Sequence, residues 1–476
     1  MFTSDRSFAS LVAPLLLLAW GLQPASVQAQ PTGIRALSMG GGLSAVNGHN
    51  ALYAHPARLL QDGHRRALTL GAFQGRLGGD LLRYGPYEEV FVTDAVPSEA
   101  VISQALTDWF GGETRGVGTV VQATPVAFTW QRADSSRGLG IALRFRSFAS
   151  SRTDEGIVDL LLRGTQTDRT VPLNGGYQTF SVAELVFGVS QRITDRLTVG
   201  VAPALLLGTG YADADLTSTL DVQDGVLTHQ FDYEARAAGA FSSDVYDTFD
   251  AFSSDPFEQV DTPSPLGEQS GLGLGLTVSA TYRWRPTLTV DASLMDLGGL
   301  RWSGNAQVVT PVANQFRFEG IELNIQELND EFDGNVDDYV EDKLDAQARN
   351  AYEDVNRASD GFATSLPTTA HVGATWVPLD WTTVVGGLSM GLAGRKELAP
   401  RTPALHVGTE MRPLRVLPLR GGVRLGGNRA AMLSLGTGVD TRRYSIGIGV
   451  AFSPSSDLLG GGGRYSVALS LATVRF

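Results

Sequence analysis

The chain has 476 residues, a formal net charge of -13, 56 glycines and no cysteine. That length suits two or three ordinary domains or one large closed barrel. The acidity gives no footing for a nucleic-acid partner, and the missing cysteines exclude disulfide stapling, so strand closure must stabilise an exported chain. Hydrophobic residues make up 43% of the sequence, yet no apolar run reaches the roughly 20 residues of a spanning helix. A mean hydropathy of -0.01 is compatible with a membrane barrel, whose strands hide apolar residues by alternation. Residues 1–29 read as a signal peptide. LVAPLLLLAW at 11–20 is its apolar core, Arg6 beside Asp5 gives a weakly basic start, and Val27-Gln28-Ala29 is a small-x-small cleavage site. The mature chain is then expected to begin near Gln30, with the outer membrane of a Gram-negative-type bacterium as its destination. An uncleaved anchor is the other reading, against which the short core counts.

Residues 30–64 follow as a segment without strand periodicity. RALSMGGGLSAV contains Gly40, Gly41 and Gly42, and ALYAHPARL contains His55, Pro56 and Ala57. This resembles the N-terminal signature of FadL-type outer-membrane transporters and PorV-type barrels: a small-Gly-Gly segment, a short spacer, then Asn-Pro-Ala. His55 stands where Asn is usual. The resemblance covers this motif, the strand layout and the style of the C-terminal half, without reaching substrate-contacting residues. It implies a hatch at 30–64 inside a transmembrane barrel at 65–476. For function it implies passive transport of hydrophobic or amphiphilic small molecules. The PorV-type relatives imply instead a docking component for secretion or surface attachment, and a purely structural surface barrel is a third reading. Gly40-x-Gly42-x-x-Ala45 also spells a partial dinucleotide fingerprint, but no strand precedes it and no crossover helix follows.

The chain from 65 onward reads as all-β, an antiparallel transmembrane β-barrel of about fourteen strands. The expected strands are 66–77, 119–131, 137–149, 177–191, 196–209, 270–285, 287–302, 366–378, 381–393, 402–413, 417–427, 430–440, 443–453 and 463–476. The clearest is SGLGLGLTVSATYRWRPTLT at 270–289. Leu272, Leu274, Leu276, Val278, Ala280, Tyr282 and Trp284 share one face, while Gly271, Gly273, Gly275, Thr277, Ser279, Thr281 and Arg283 share the other. Connection lengths sort by side. Even strands end in short turns such as ITDR, RPT and PLDW, whereas 78–118, 210–269 and 303–365 are long outer loops. Phe476, an aromatic on the last strand, resembles the signal read by barrel-assembly machinery. Val467, Leu469 and Leu471 have the opposite parity, so either the usual same-face pattern is broken or a bulge intervenes before Phe476.

The acidity is concentrated on the outer side. Residues 319–360 hold 14 acidic and 3 basic side chains, and residues 238–269 hold 7 acidic and none basic. Within the former, Ile325, Leu328, Phe332, Val336, Tyr339, Leu344, Ala348 and Val355 recur at helical spacing, predicting an amphipathic helix across the mouth. A second outer helix is expected over Ser98–Phe110.

No cofactor and no catalytic group are expected. Gly387-x-Ser389-x-Gly391 lies mid-strand rather than at a nucleophile elbow, and His49, His55, His64, His229, His371 and His406 show no paired zinc spacing. DEFDGNVDD at 330–338 is the one metal-like cluster. Asp330, Asp333 and Asp337 miss the EF-hand register, leaving only loose collection of divalent ions by the acidic loops. Parity places Arg144, Arg146, Arg283, Arg412, Arg420 and Arg424 in the lumen. Inward arginines either anchor an amphiphile's carboxylate or form a structural ladder with Glu184, Asp291 and Glu410. Expected partners are outer-membrane lipids, the assembly machinery, and hydrophobic small molecules or secreted cargo proteins.

Overall fold

The computed structural model describes residues 33–60, 65–79, 81, 84–92, 97–165, 168–240, 270–320, 324–332, 335–336, 339, 343, 355–394, 399, 401–427, 431–453 and 464–476. The expected signal segment and its cleavage site lie outside these residues.

Fourteen strands form the wall. They are β1 (Arg66–Gly79), β2 (Arg115–Gln131), β3 (Arg137–Thr153), β4 (Gly175–Arg192), β5 (Leu197–Gln223), β6 (Gly271–Arg285) and β7 (Leu288–Trp302). Then come β8 (Thr369–Leu379), β9 (Thr382–Gly391), β10 (Ala404–Leu414), β11 (Leu417–Gly426), β12 (Met432–Asp440), β13 (Tyr444–Phe452) and β14 (Arg464–Arg475). Each pairs antiparallel with its neighbours in sequence, and β14 pairs with β1 from Ala67↔Arg475 to Gly78↔Arg464, closing the ring. Closure leaves no free edge in the wall, the condition for sheet to stand in hydrocarbon. All fourteen expected strands are present.

The outer surface is apolar. Leu274 is 70% exposed, and Leu272, Val372, Leu435, Ile446 and Ile448 are also exposed. Tyr282, Trp284, Trp376, Trp381 and Tyr444 gather near the short turns as an aromatic girdle. An apolar belt this broad has no place on a water-facing monomer. Ile448 lies four residues along β13 from Tyr444 of the girdle, near the middle of an apolar band about 25 Å tall. Ile448→Arg is therefore expected to destabilise the barrel by about 2–4 kcal/mol in urea unfolding from lipid vesicles, with Ile448→Ala as the control.

Parity breaks have local causes. The β13–β14 ladder shifts by one residue between Ser445 and Gly447, so β14 carries the bulge. Leu469 faces out before it, while Thr473 and Arg475 face in after it, contacting Thr69 and Asp440. The bulge thereby returns Phe476 to the outer face, where it is exposed.

The long outer connections depart from expectation. β5 continues as strand through Gln223 and turns into a further strand, Val226–Gly239, so 210–239 is a hairpin rather than a loop. That hairpin offers its free edge to Gln307–Pro311 and Gln315–Phe318. Val355, expected on an amphipathic helix, lies instead in strand Val355–Ala358 opposite Pro311. Within the described stretch Ile325–Glu331 is helical, and so are Val336, Tyr339 and Lys343. Glu99–Trp109 is the expected outer helix, capped by Ser98 Oγ accepting from Val101 N. A second outer helix, Glu155–Arg163, was unanticipated. Asp333, Asp337 and the side chain of Asp330 lie outside the described residues.

Candidate functional site

The site is the lumen, and the segment 33–60 fills it. Four short helical pieces, Gly33–Ser38, Leu43–Ala45, Asn50–Ala54 and Pro56–Leu60, run across the bore with Ala36, Leu37, Met39, Leu43, Leu52 and Tyr53 fully buried. Irregular backbone in a membrane-embedded bore needs side-chain partners, and the wall supplies them. Gln74 Oε1 accepts from Gly33 N at 3.0 Å, Ser434 Oγ from Gly40 N at 2.8 Å, and Ser279 Oγ from Ala57 N at 2.8 Å.

The Gly run has a physical explanation. Gly40 and Gly41 have φ of +80° and +76°, and Gly41 N returns to Ala36 O at 2.8 Å, which ends the first helix in a left-handed cap. A Cβ on Gly42 would lie 2.7 Å from His406 Cδ2. The wall answers with its own glycines: a Cβ on Gly200 would strike the backbone of Pro56 and Ala57, and one on Gly408 that of Met39. Gly200→Val is thus expected to push out the His55-Pro56-Ala57 turn. Limited trypsinolysis at Arg58 should accelerate at least tenfold while the heat-shifted gel mobility of a folded barrel persists.

Three ionic clusters cross this filled bore. In the first, Asp291 of β7 gathers the hatch. Ser44 Oγ donates to Asp291 Oδ2 at 3.0 Å, and Arg58 Nη2 donates to Asp291 Oδ1 at 2.9 Å and to Thr375 Oγ1 at 2.7 Å. His55 Nε2 and His371 Nε2 lie 3.2 and 3.3 Å from Asp291 Oδ2, all three side chains fully buried. His371 stacks on His406 at 5.2 Å. His55 therefore supplies a hatch contact to the wall from the position where the family signature has Asn. Pro56 and Ala57 sit behind it against β6, and Gly40–Gly42 against β10 and β11.

In the second, Arg144 and Arg146 of β3 meet Glu184 of β4 and Asp296 of β7. Arg144 Nε donates to Glu184 Oε2 at 2.8 Å, and its Nη2 also contacts that oxygen. Arg146 Nη1 and Nη2 donate to Asp296 Oδ2 and Oδ1 at 2.8 and 3.2 Å, and Arg146 also contacts Glu184. Arg144 lies over the Tyr53 ring at 4.1 Å. Two guanidiniums face two carboxylates, the pairing that the ladder reading expects of inward arginines.

In the third, Arg35 of the hatch and Arg412 and Arg420 of the wall converge on Glu410, with Nε distances of 3.1, 3.1 and 2.6 Å, while Arg412 and Arg475 hold Asp440. Arg35, Arg420, Asp440 and Arg475 also edge a cavity of about 100 Å³ beside the hatch. Arg424 is buried beside Gly41. Arg283 is exposed at the short-turn end, away from all three clusters. Ser389 is buried in β9 opposite His371. Among the described residues no group of three or more His, Asp or Glu is arranged to hold a metal.

On the outer side of the Arg146 cluster the lumen turns apolar. Phe148 stacks on Phe180 at 5.4 Å, Phe180 meets Trp302 edge-on at 6.0 Å, and Tyr211 touches Trp302 and Phe362 at 5.4 and 5.2 Å. Val117, Val182, Leu206, Leu300 and Leu366 complete the cluster. A cavity of about 420 Å³ opens beside it. Sequence reasoning missed Tyr211, Phe362 and His371 as lumen contacts. For Tyr211 the signal was present, since Tyr211, Asp213 and Asp215 continue the period of two past the point where the strand was expected to end.

Residues 103–448 match the family described as "Family of unknown function (DUF5723)", and the chain belongs to that family. No curated protein matches the sequence. Among solved structures, the deltaS2 mutant of the TodX monoaromatic hydrocarbon channel is 13% identical, with 94% of this chain and 100% of that one covered and a TM-score of 0.53. The deltaS2S3 mutant of the same channel is 13% identical, covering 93% and 99%, with a TM-score of 0.52. A Pseudomonas aeruginosa FadL homologue is 12% identical, covering 96% and 99%, with a TM-score of 0.48. The TodX likenesses show a shared barrel fold.

Proposed function

We propose that this protein is a passive outer-membrane channel for hydrophobic or amphiphilic small molecules. One observation carries the reading: in the outer half of the lumen a chamber of about 420 Å³ opens beside an aromatic cluster, above the Arg146 ion pairs and a hatch pinned by side chains rather than continuous with the wall. Apolar cargo gains by leaving water for that chamber. Onward passage then requires a shift of 33–60, which is seated by apolar packing against the wall and by the Asp291 and Glu410 clusters. Gly40 and Gly41 give that segment backbone freedom. The lipid-facing belt and aromatic girdle support an outer-membrane setting, and the fold shared with a monoaromatic hydrocarbon channel supports the cargo class. No energy-coupling motif is visible in the sequence, in keeping with passive movement.

The test is influx of a radiolabelled monoaromatic hydrocarbon into a trapping phase inside proteoliposomes. The reading expects influx above that of protein-free vesicles, saturating with cargo. Influx equal to protein-free vesicles, together with co-purification of an exported protein, would favour a docking role instead.

A further inference from the structure

The cavity of about 100 Å³ beside the hatch lies toward the short-turn end of the bore. Arg35 reaches it from the hatch, Arg420 from β11, Asp440 from β12 and Arg475 from the end of β14. The ion pairs around it do not balance. Arg35, Arg412, Arg420 and Arg475 bring four guanidiniums to two carboxylates, Glu410 and Asp440. Two positive charges are left over, and a charge held away from water calls for a partner.

Arg420 carries that excess into the cavity. Its side chain is 9% exposed. Its Nε donates to Glu410 Oε2 at 2.6 Å, whereas Nη1 and Nη2 have no partner among the described residues. Neither nitrogen is sealed by packing, so both open on the cavity that Arg420 lines. Arg475 behaves alike. Its Nη1 donates to Asp440 Oδ1 and Thr441 O, while Nε and Nη2 are unmatched and unsealed. Gln122 of β2, 6% exposed, lines the cavity as well, and its amide is also unmatched without being sealed.

We infer that this cavity binds a doubly charged phosphate group, as the free ion or as a lipid headgroup. About 10–15 Å³ of such space holds one water, so a phosphate fits. Its charge of about −1.5 to −2 matches the excess, and guanidinium forks suit its several oxygens. A carboxylate would leave one positive charge unbalanced. Phe73, Ile446 and Leu469, exposed residues of the apolar belt, edge the same cavity, so acyl chains can lie against the wall while their headgroup sits on the arginines. A phosphate bound there joins Arg35 of the hatch to Arg420 and Arg475 of the wall. Such binding is independent of whether the barrel conducts.

The experiment is equilibrium dialysis of the full barrel in neutral detergent against radiolabelled orthophosphate at about pH 8, where the ion is close to doubly charged. Unlabelled orthophosphate, acetate and dihexanoyl phosphatidic acid compete at matched ionic strength. Orthophosphate should compete at least tenfold more effectively than acetate. Phosphatidic acid competing tenfold better still assigns the site to a lipid headgroup, and equal or weaker competition assigns it to the free ion. Arg420→Gln leaves Glu410 with Arg35 and Arg412 and, once heat-shifted gel mobility shows a folded barrel, should weaken orthophosphate binding at least tenfold. Arg283→Gln, at an exposed arginine away from the cavity, should leave binding unchanged. An absence of saturable orthophosphate binding, or equal competition by acetate, overturns the inference in the unsubstituted protein alone. A folded Arg420→Gln barrel that binds unchanged, or an Arg283→Gln barrel that binds as weakly, overturns it too.

Discussion

Asp291→Ala is expected to release the hatch. The substitution leaves Arg58 buried without its carboxylate and takes from Ser44 its acceptor on β7. Removing one partner of a buried ion pair costs about 3–5 kcal/mol. The wall strands do not depend on that contact, since β7 keeps its ladders to β6 and β8. The loss should therefore fall on the docked state of residues 33–60 rather than on the barrel. At about 1.4 kcal/mol per factor of ten, the undocked population should rise roughly 10²- to 4 × 10³-fold. Tryptic cleavage after Arg58 reports it, with Ser44→Ala as a milder comparison losing about 1 kcal/mol. Cleavage at the unsubstituted rate in Asp291→Ala would mean that packing alone seats the hatch.

Arg146→Ala should act on the wall instead. It leaves Arg144 alone to balance Glu184 and Asp296, which are 0% and 6% exposed, and is expected to cost about 3–5 kcal/mol of barrel stability in urea. The double variant Arg146→Met with Glu184→Leu leaves Arg144 and Asp296, 3.8 Å apart, as a balanced pair. It should recover most of the loss, because apolar replacement of a buried ion pair is often close to neutral. The same pair of variants decides between the two roles of inward arginines. If Arg146 anchored a cargo carboxylate, the stable double variant would still lose uptake. A ladder arginine predicts restored stability with uptake intact.

The barrel was legible in the sequence because lipid acts on one face of each strand and water or the hatch on the other, so period two is imposed residue by residue. That pressure ends where the strands leave the membrane. From Tyr211 to Gln223 the period of two persists, with Asp213, Asp215 and Asp221 on one face and Ala212, Ala214, Leu216, Leu220 and Val222 on the other. The repeated aspartates there resemble a loop, and the hairpin went unseen. The outer helix is helical at Ile325–Glu331, Val336 and Tyr339 but was read too far, since Val355 follows helical spacing and yet pairs at a sheet edge. At the site, inward parity correctly put Arg144, Arg146, Glu184 and Asp291 in the lumen, yet parity says nothing about distance. That Ser44 would meet Asp291, 247 residues away, depends on how 33–60 threads the bore. The inward glycines were the available clue, because Gly200, Gly408 and Gly422 mark where the wall yields to backbone.

A disulfide lock tests the moving hatch most directly, and the absence of native cysteine makes it clean. A Cβ on Gly449 would lie 2.5 Å from Ser38 Oγ, within the reach of a disulfide, so Ser38→Cys with Gly449→Cys ties the hatch to β13. Monoaromatic influx into proteoliposomes is then measured before and after reduction. A mobile hatch predicts influx near the protein-free background when oxidised and recovery to the unsubstituted rate on reduction. Equal influx in both states would contradict it, showing that cargo passes without the hatch or does not pass at all.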